Sequence, residues 1–257
     1  MTNREPHWRV NGKDDWGLTP LKSYDFIKEF LCALKQLLSL VSYKSQSRKI
    51  NKCLQQFEIV KISLGSGRDV PDGWIGLDSH KSGKRVFPVN LLLGIPLKDD
   101  SVHEILAEHI IEHFFFDDVY WLLSECYRVL SPGGKLRIVC PDAKNIAELI
   151  LKGHRAETDH DVIIDSKTHR WPDDGLRWAR FINRLSHQWG QHKSLLSREI
   201  ISQILGKVGF DHVVQVSINE SIFFNPIPDI HSKRFPDDGP NLNLAIEASI
   251  RNKKNLK

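Results

Sequence analysis

EIVKISLGSGRDVPDGWIGLD, residues 58–78 from Glu58 to Asp78, is the stretch whose reading decides the fold. It opens as an apolar, β-branched run (Ile59, Val60, Ile62, Leu64) and breaks at Gly65-Ser66-Gly67. A second apolar run, Trp74-Ile75-Gly76-Leu77, then closes on Asp78. The pattern is strand, glycine turn, strand, acid. Glycines at a strand's carboxyl end let a ligand approach the backbone, because no Cβ intervenes and positive φ is allowed. An acid at the tip of the next strand can accept both hydroxyls of a ribose. Together they indicate a nucleoside-containing cofactor.

Only Arg68 to Gly73 separates the glycine turn from the second run, and the interval contains Pro71. A parallel crossover with its helix needs about 10–12 residues or more. Six extended residues reach roughly 20 Å, enough to return along a short strand. The spacing therefore predicts that the first crossover helix is short or absent. It also argues against a nicotinamide dinucleotide fold, whose glycine turn opens a full helix and whose acid follows about 20 residues on.

Downstream, Val86 to Asn90 and Val102 to Ala107 read as third and fourth strands. Glu108-His109-Ile110-Ile111-Glu112-His113-Phe114 then concentrates titratable side chains directly beyond a strand. Asp117 or Asp118 can cap a helix with the apolar face Val119, Leu122, Leu123, Cys126, Val129 and Leu130. Ser131-Pro132-Gly133-Gly134 stops it, and Lys135 to Cys140 forms a fifth strand ending at Pro141-Asp142. After a helix at Asn145–Leu151 comes an excursion rich in His and Trp, up to Gln191, that suits a lid. Ser197 caps a helix ending at Gly209, and Val213–Ile218 and Leu242–Ile250 are late strands. Strands alternating with helices make an α/β fold with a mostly parallel sheet.

The remaining organisation is an N-terminal segment, 1–57, with an amphipathic helix at Tyr24–Val41 and a basic flank at Lys44–Lys52, then a domain at 58–250 and a polar tail at 251–257. The helix is a candidate interface. A formal charge of +4 from 36 basic and 32 acidic residues gives no concentrated stripe for nucleic acid. The four cysteines stand far apart, no H-E-x-x-H occurs, and the histidines of the excursion are irregularly spaced, so no metal site is expected. With neither an apolar leader nor a run of about 18 apolar residues, the chain is expected to be cytoplasmic.

The LGSG turn, the acid of GLD, IPLKDDSVHEI, the EH of IIEHF, RVLSPGGKLRIVCPD and the later GF together resemble class I S-adenosylmethionine-dependent methyltransferases of the type 11 methyltransferase-domain family. The likeness runs over residues 58–142 and, more loosely, 192–250. It implies a Rossmann-like three-layer sandwich with a seven-stranded sheet and an antiparallel last strand. It implies S-adenosyl-L-methionine as cofactor, with Gly65, Ser66 and Gly67 at its methionine and ribose end and Asp78 on the ribose hydroxyls. Asn90 and Leu91 would lie along the adenine, and Glu108 and His109 would flank the sulfonium. Ser63 departs from the pattern, standing where the family often has an acid.

Methyl transfer needs alignment and exclusion of water more than a protein nucleophile. A hydroxyl acceptor also needs a general base, for which His109, His113 and His192 are the candidates. The resemblance points to a sugar or glycan, or another small polar molecule, as acceptor. The alternative reading is a catalytically silent member of the fold acting as a binding or scaffold protein, in keeping with Ser63 and the short crossover.

Overall fold

Apolar residues at alternate positions of short segments build a seven-stranded sheet in the larger of two compact units, Ser45–Lys257. The computed structural model describes residues 9–10, 13–14, 34, 43–79, 83–151, 191–228, 242–251 and 253. In the smaller unit, Met1–Lys44, Arg9–Val10 pairs antiparallel with Lys13–Asp14. The helix expected at Tyr24–Val41 lies outside the described residues apart from Leu34, which is helical and exposed. The excursion up to Gln191 lies outside them too, apart from its ends.

The strands are β1 (Lys61–Leu64), β2 (Ile75–Asp78), β3 (Val86–Pro88), β4 (Val102–Glu108), β5 (Leu130–Pro141), β6 (His212–Val216) and β7 (Asn243–Ser249). Their spatial order is β3-β2-β1-β4-β5-β7-β6. The pairs from β3 to β5 are parallel, and β7 is antiparallel to both neighbours. The link from β1 to β2 contains only turns, as its brevity predicts. The carboxyl ends of β1, β2 and β4 therefore open on one side of the sheet with no crossover helix between the first two.

The helices are α1 (43–54), α2 (Phe116–Val129), α3 (Ala143–Leu151) and α4 (Arg198–Val208). The expected basic flank is in fact helix α1, which buries Ile50 and Leu54 in the main core while its lysines stay outside. Helix α2 starts at Phe115, without a side-chain cap. The predicted caps Asp117 and Asp118 lie two and three residues past the cap position, inside the first turn, and serve instead as favourable charges at the positive end of the helix. Helix α4 starts and stops as expected, on Ser197 and on Gly209 at φ 117°. The PGG stop falls inside β5. Val102 pairs with Leu130 and Glu104 with Lys135, so the extra residues bulge out, with Gly133 at φ 80°.

Ile62, Leu64, Ile105, Ala107, Leu136, Ile138, Leu244 and Ile246 face α1, α2 and α4 across the main core. On the opposite face Trp74 and Leu106 pack with Phe224. There the buried Arg137 and Glu247 pair at 2.5 Å and hold the segment at 218–223.

Candidate active site

Gly65 and Gly67 take φ 61° and 56°, a region in which an L side chain is strained. These angles curl the chain at the end of β1 so that the Gly67 N–H donates to Asp78 Oδ2 at 2.8 Å, while Gly65 N–H donates to Leu77 O at 2.8 Å. Asp78 is thus fixed at the half-buried tip of β2, with its charge at the mouth of the turn. A Cβ on Gly65 would stand 2.6–2.8 Å from the Ile110 side chain. Glycine is required there because the loop after β4 closes over it. Beneath the turn, the Ser63 hydroxyl is buried without a hydrogen-bond partner. An orphaned polar atom on the strand that leads into a glycine turn, with a held carboxylate at the tip of the next strand, fits a cradle for a polar nucleoside-type group.

Asn90 follows β3, and its Oδ1 accepts the Leu92 N–H at 3.1 Å, capping a short 3₁₀ turn at Leu91–Leu93 in which Leu91 is buried. Its side chain is therefore engaged in shaping the turn. Glu108 ends β4 and is buried. His109 takes φ 49°, rare for a residue with a side chain, and is held there by its N–H on Val139 O at 2.8 Å. His109 Nδ1 lies 3.1 Å from Glu112 Oε1. Burial alone would raise the Glu112 carboxyl pKa, but the hydrogen bond and charge of His109 hold it below its ordinary value.

Glu112 and His113 lie on a 3₁₀ turn, Ile111–His113. The Glu112 carbonyl accepts the N–H groups of Lys193 (2.8 Å) and Ser194 (3.2 Å), which clips the strap before α4 to this turn. His192 is thereby brought against His113, ring centroids 4.9 Å apart and edge to face. His109, His113 and His192 are thus brought together with Glu112, one of the titratable side chains that the sequence concentrates directly beyond this strand. The sequence names His192 as a candidate beside His109 and His113, and the fold supplies the contact between His192 and His113. Phe115, Phe116, Tyr120 and Trp121 are all strongly exposed just beyond His113, and Lys193 Nζ lies over the Phe115 ring at 4.8 Å. Amphipathic spacing foretells the buried side of α2 but not this exposed aromatic group. A polar cleft of about 1170 Å³ opens beside the ends of β5 and β6, lined by Asp142, Asn145, Glu199, Gln215, Glu220 and others. None of the predicted site residues lines it.

Residues 78–138 match a family model described as a methyltransferase domain. The matched segment runs from the acid at the tip of β2, through the histidines beyond β4, into β5. Among solved structures the chain is similar to a S-adenosylmethionine-dependent methyltransferase from Thermotoga maritima (19% identity, 88% of this chain and 99% of that one, TM-score 0.45). Another from Mesorhizobium loti has 19% identity over 74% and 90% of the chains, with TM-score 0.44. A third, from Archaeoglobus fulgidus, has 15% identity over 81% and 94%, with TM-score 0.43. No curated protein matches.

Proposed function

We propose that this chain is a class I S-adenosylmethionine-dependent methyltransferase that methylates a hydroxyl of a sugar, a glycan or another small polar acceptor; the match of residues 78–138 to a methyltransferase domain supports the reaction class. The observation that carries the reading is the His109–Glu112 pair at the exit of β4. A carboxylate on Nδ1 fixes the tautomer in which Nε2 is basic and stabilises the imidazolium that forms when Nε2 takes a proton. A thioether or an already neutral amine would need no such base; a hydroxyl does. The left-handed backbone of His109 is strain of the kind found where a side chain must be aimed.

In this reading S-adenosylmethionine supplies the electrophilic methyl group. Gly65, Ser66 and Gly67 line its methionine and ribose end, Asp78 accepts the ribose hydroxyls, Asn90 and Leu91 border the adenine, and Glu108 and His109 flank the sulfonium. The exposed rings of Phe115, Phe116, Tyr120 and Trp121 supply flat apolar surface, at low entropic cost, beside the acceptor end.

The test is calorimetric titration with S-adenosylhomocysteine of wild type and Asp78→Ala, followed by a screen of sugars and nucleotide sugars for S-adenosylhomocysteine release. Loss of a buried hydrogen-bonding partner costs about 1–3 kcal/mol, or about 5- to 150-fold in Kd. His109→Ala should lower kcat by about 100-fold or more while cofactor affinity changes far less. No binding by folded wild-type protein sinks the reading. A His109→Ala variant of unchanged kcat removes the base.

A further inference from the structure

We infer that Glu112, His113 and His192 form a binding site for a divalent transition-metal ion of the zinc type. One ligand atom from each of the three lies within 4.8 Å of the others. Donors bound to one tetrahedral ion at about 2.0–2.2 Å lie about 3.4 Å apart, so small side-chain rotations close the set.

Three features mark the cluster as built to hold an ion. Glu112 is almost wholly buried, and its Oε2 has no hydrogen-bond partner. Leaving a carboxylate oxygen bare in the interior is costly unless something polar or cationic meets it. The other oxygen, Oε1, is held by His109 Nδ1 at 3.1 Å, which fixes the direction in which Oε2 points. His113 Nδ1 lies 3.2 Å from the Gln191 carbonyl oxygen. That contact requires the Nδ1–H tautomer and leaves Nε2 with a lone pair that can bind an ion, the outer-shell arrangement seen at metal-bound histidines. Finally, the N–H groups of Lys193 and Ser194 on the Glu112 carbonyl fasten the strap bearing His192 to the turn bearing the other two donors.

The donor set selects the ion. Two imidazoles and one carboxylate suit Zn²⁺, Mn²⁺, Fe²⁺ or Co²⁺, whereas Mg²⁺ and Ca²⁺ take oxygen ligands. Three protein ligands leave an open position for water or an acceptor oxygen. Only this last role rests on the methyltransferase reading; ion binding does not depend on it.

The experiment strips purified full-length protein with EDTA, removes the chelator and titrates ZnCl₂ and MgCl₂ by calorimetry, with circular dichroism confirming the fold. In parallel each sample is titrated with S-adenosylhomocysteine. One equivalent of Zn²⁺ is expected, bound more tightly than Mg²⁺. Affinity should fall at least about 10- to 100-fold in His192→Ala and in His113→Ala, since loss of even an outer-shell partner has that effect. His192 is half-buried on the strap, so its variant tests the site without emptying the core as Glu112→Ala would. Absence of Zn²⁺ binding, binding that both histidine variants leave unchanged, or preference for Mg²⁺ overturns the inference. S-adenosylhomocysteine binding without Zn²⁺ binding refutes the metal alone, and Zn²⁺ binding without S-adenosylhomocysteine binding refutes the cofactor reading alone.

Discussion

Replacing Arg137 by Met should destabilise the protein by about 3–5 kcal/mol, because it strands a buried charge. Arg137 is 1% and Glu247 0% exposed. The guanidinium donates to Glu247 Oε1 (2.5 Å), Glu220 O (2.9 Å) and Ile218 O (2.5 Å). Glu247 Oε2 accepts the N–H groups of Ile222 (2.9 Å) and Phe223 (3.0 Å). Every partner of the pair belongs either to the other member or to the 218–223 segment, so the network ties that segment across the second face of the sheet. Removing Arg137 leaves the buried Glu247 carboxyl without its cation; removing Glu247 leaves the buried guanidinium without its anion. Removing both, as Arg137→Met with Glu247→Leu, leaves four backbone groups at 218–223 without partners but no charge. That segment borders the solvent-open cleft and can turn its groups to water.

The double variant should therefore be no less stable than the worse single one. Independent losses would add to about 6–10 kcal/mol, enough to unfold a protein of ordinary stability. Urea unfolding at 25 °C, followed by circular dichroism and checked for a constant m-value, measures all four corners of the cycle. Limited proteolysis should cut the variants near 218–223 faster than wild type. A cost under about 1 kcal/mol for Arg137→Met, far below the usual cost of breaking a buried pair, or additive single costs, would refute the reasoning.

Two further outcomes follow from the geometry. Gly65→Ala should cost about 1–3 kcal/mol for the left-handed backbone alone, plus the collision with Ile110. Combining it with Ile110→Ala should return the collision but not the backbone cost, so equilibrium unfolding would show the pair less destabilised than the sum; simple additivity would refute the contact. The hydrogen bond from Lys144 at 2.8 Å, with those from the Glu199 backbone and Ser197, draws the exposed Glu199 carboxyl down to about 2. Because the folded value lies below the ordinary carboxylate value of about 4.3, the pair's contribution is present above that pH and fades as pH falls toward the folded value. Carbon-detected NMR should place the Glu199 midpoint there and move it upward in Lys144→Ala; an ordinary midpoint in wild type would refute the pairing.

What could be read in the sequence was whatever depends on neighbours in the chain. The period of two in β1 and β2, the glycines between them and the short interval holding Pro71 are local facts, and they foretold a sheet with a helix-free first crossover. Ser197 and Gly209 bound α4 for the same reason: a cap is set within one turn. The reading failed where a tertiary contact outweighed the local signal. The basic stretch at Lys44–Lys52 reads in sequence only as a flank of the expected helix, yet Ile50 and Leu54, one turn apart, join α1 to the main core. Asp117 and Asp118 looked like caps, yet the extended Phe114 and Phe115 that follow the 3₁₀ turn at Ile111–His113 lead straight into α2, which begins before either acid. Arg137 and Glu247 fall at inward positions of strands that are adjacent only because β7 inserts between β5 and β6, an order that periodicity does not disclose. The site follows the same rule. Gly65, Gly67, Asp78 and His109 each stand out within one short segment, whereas the nearness of His192 to Glu112 and His113 depends on the backbone of Lys193 and Ser194 bonding to the Glu112 carbonyl. One Glu112 oxygen meets His109 three residues away, and a ligand atom of Glu112 lies within 4.8 Å of ones from His113 and His192, a grouping that only the folded chain creates.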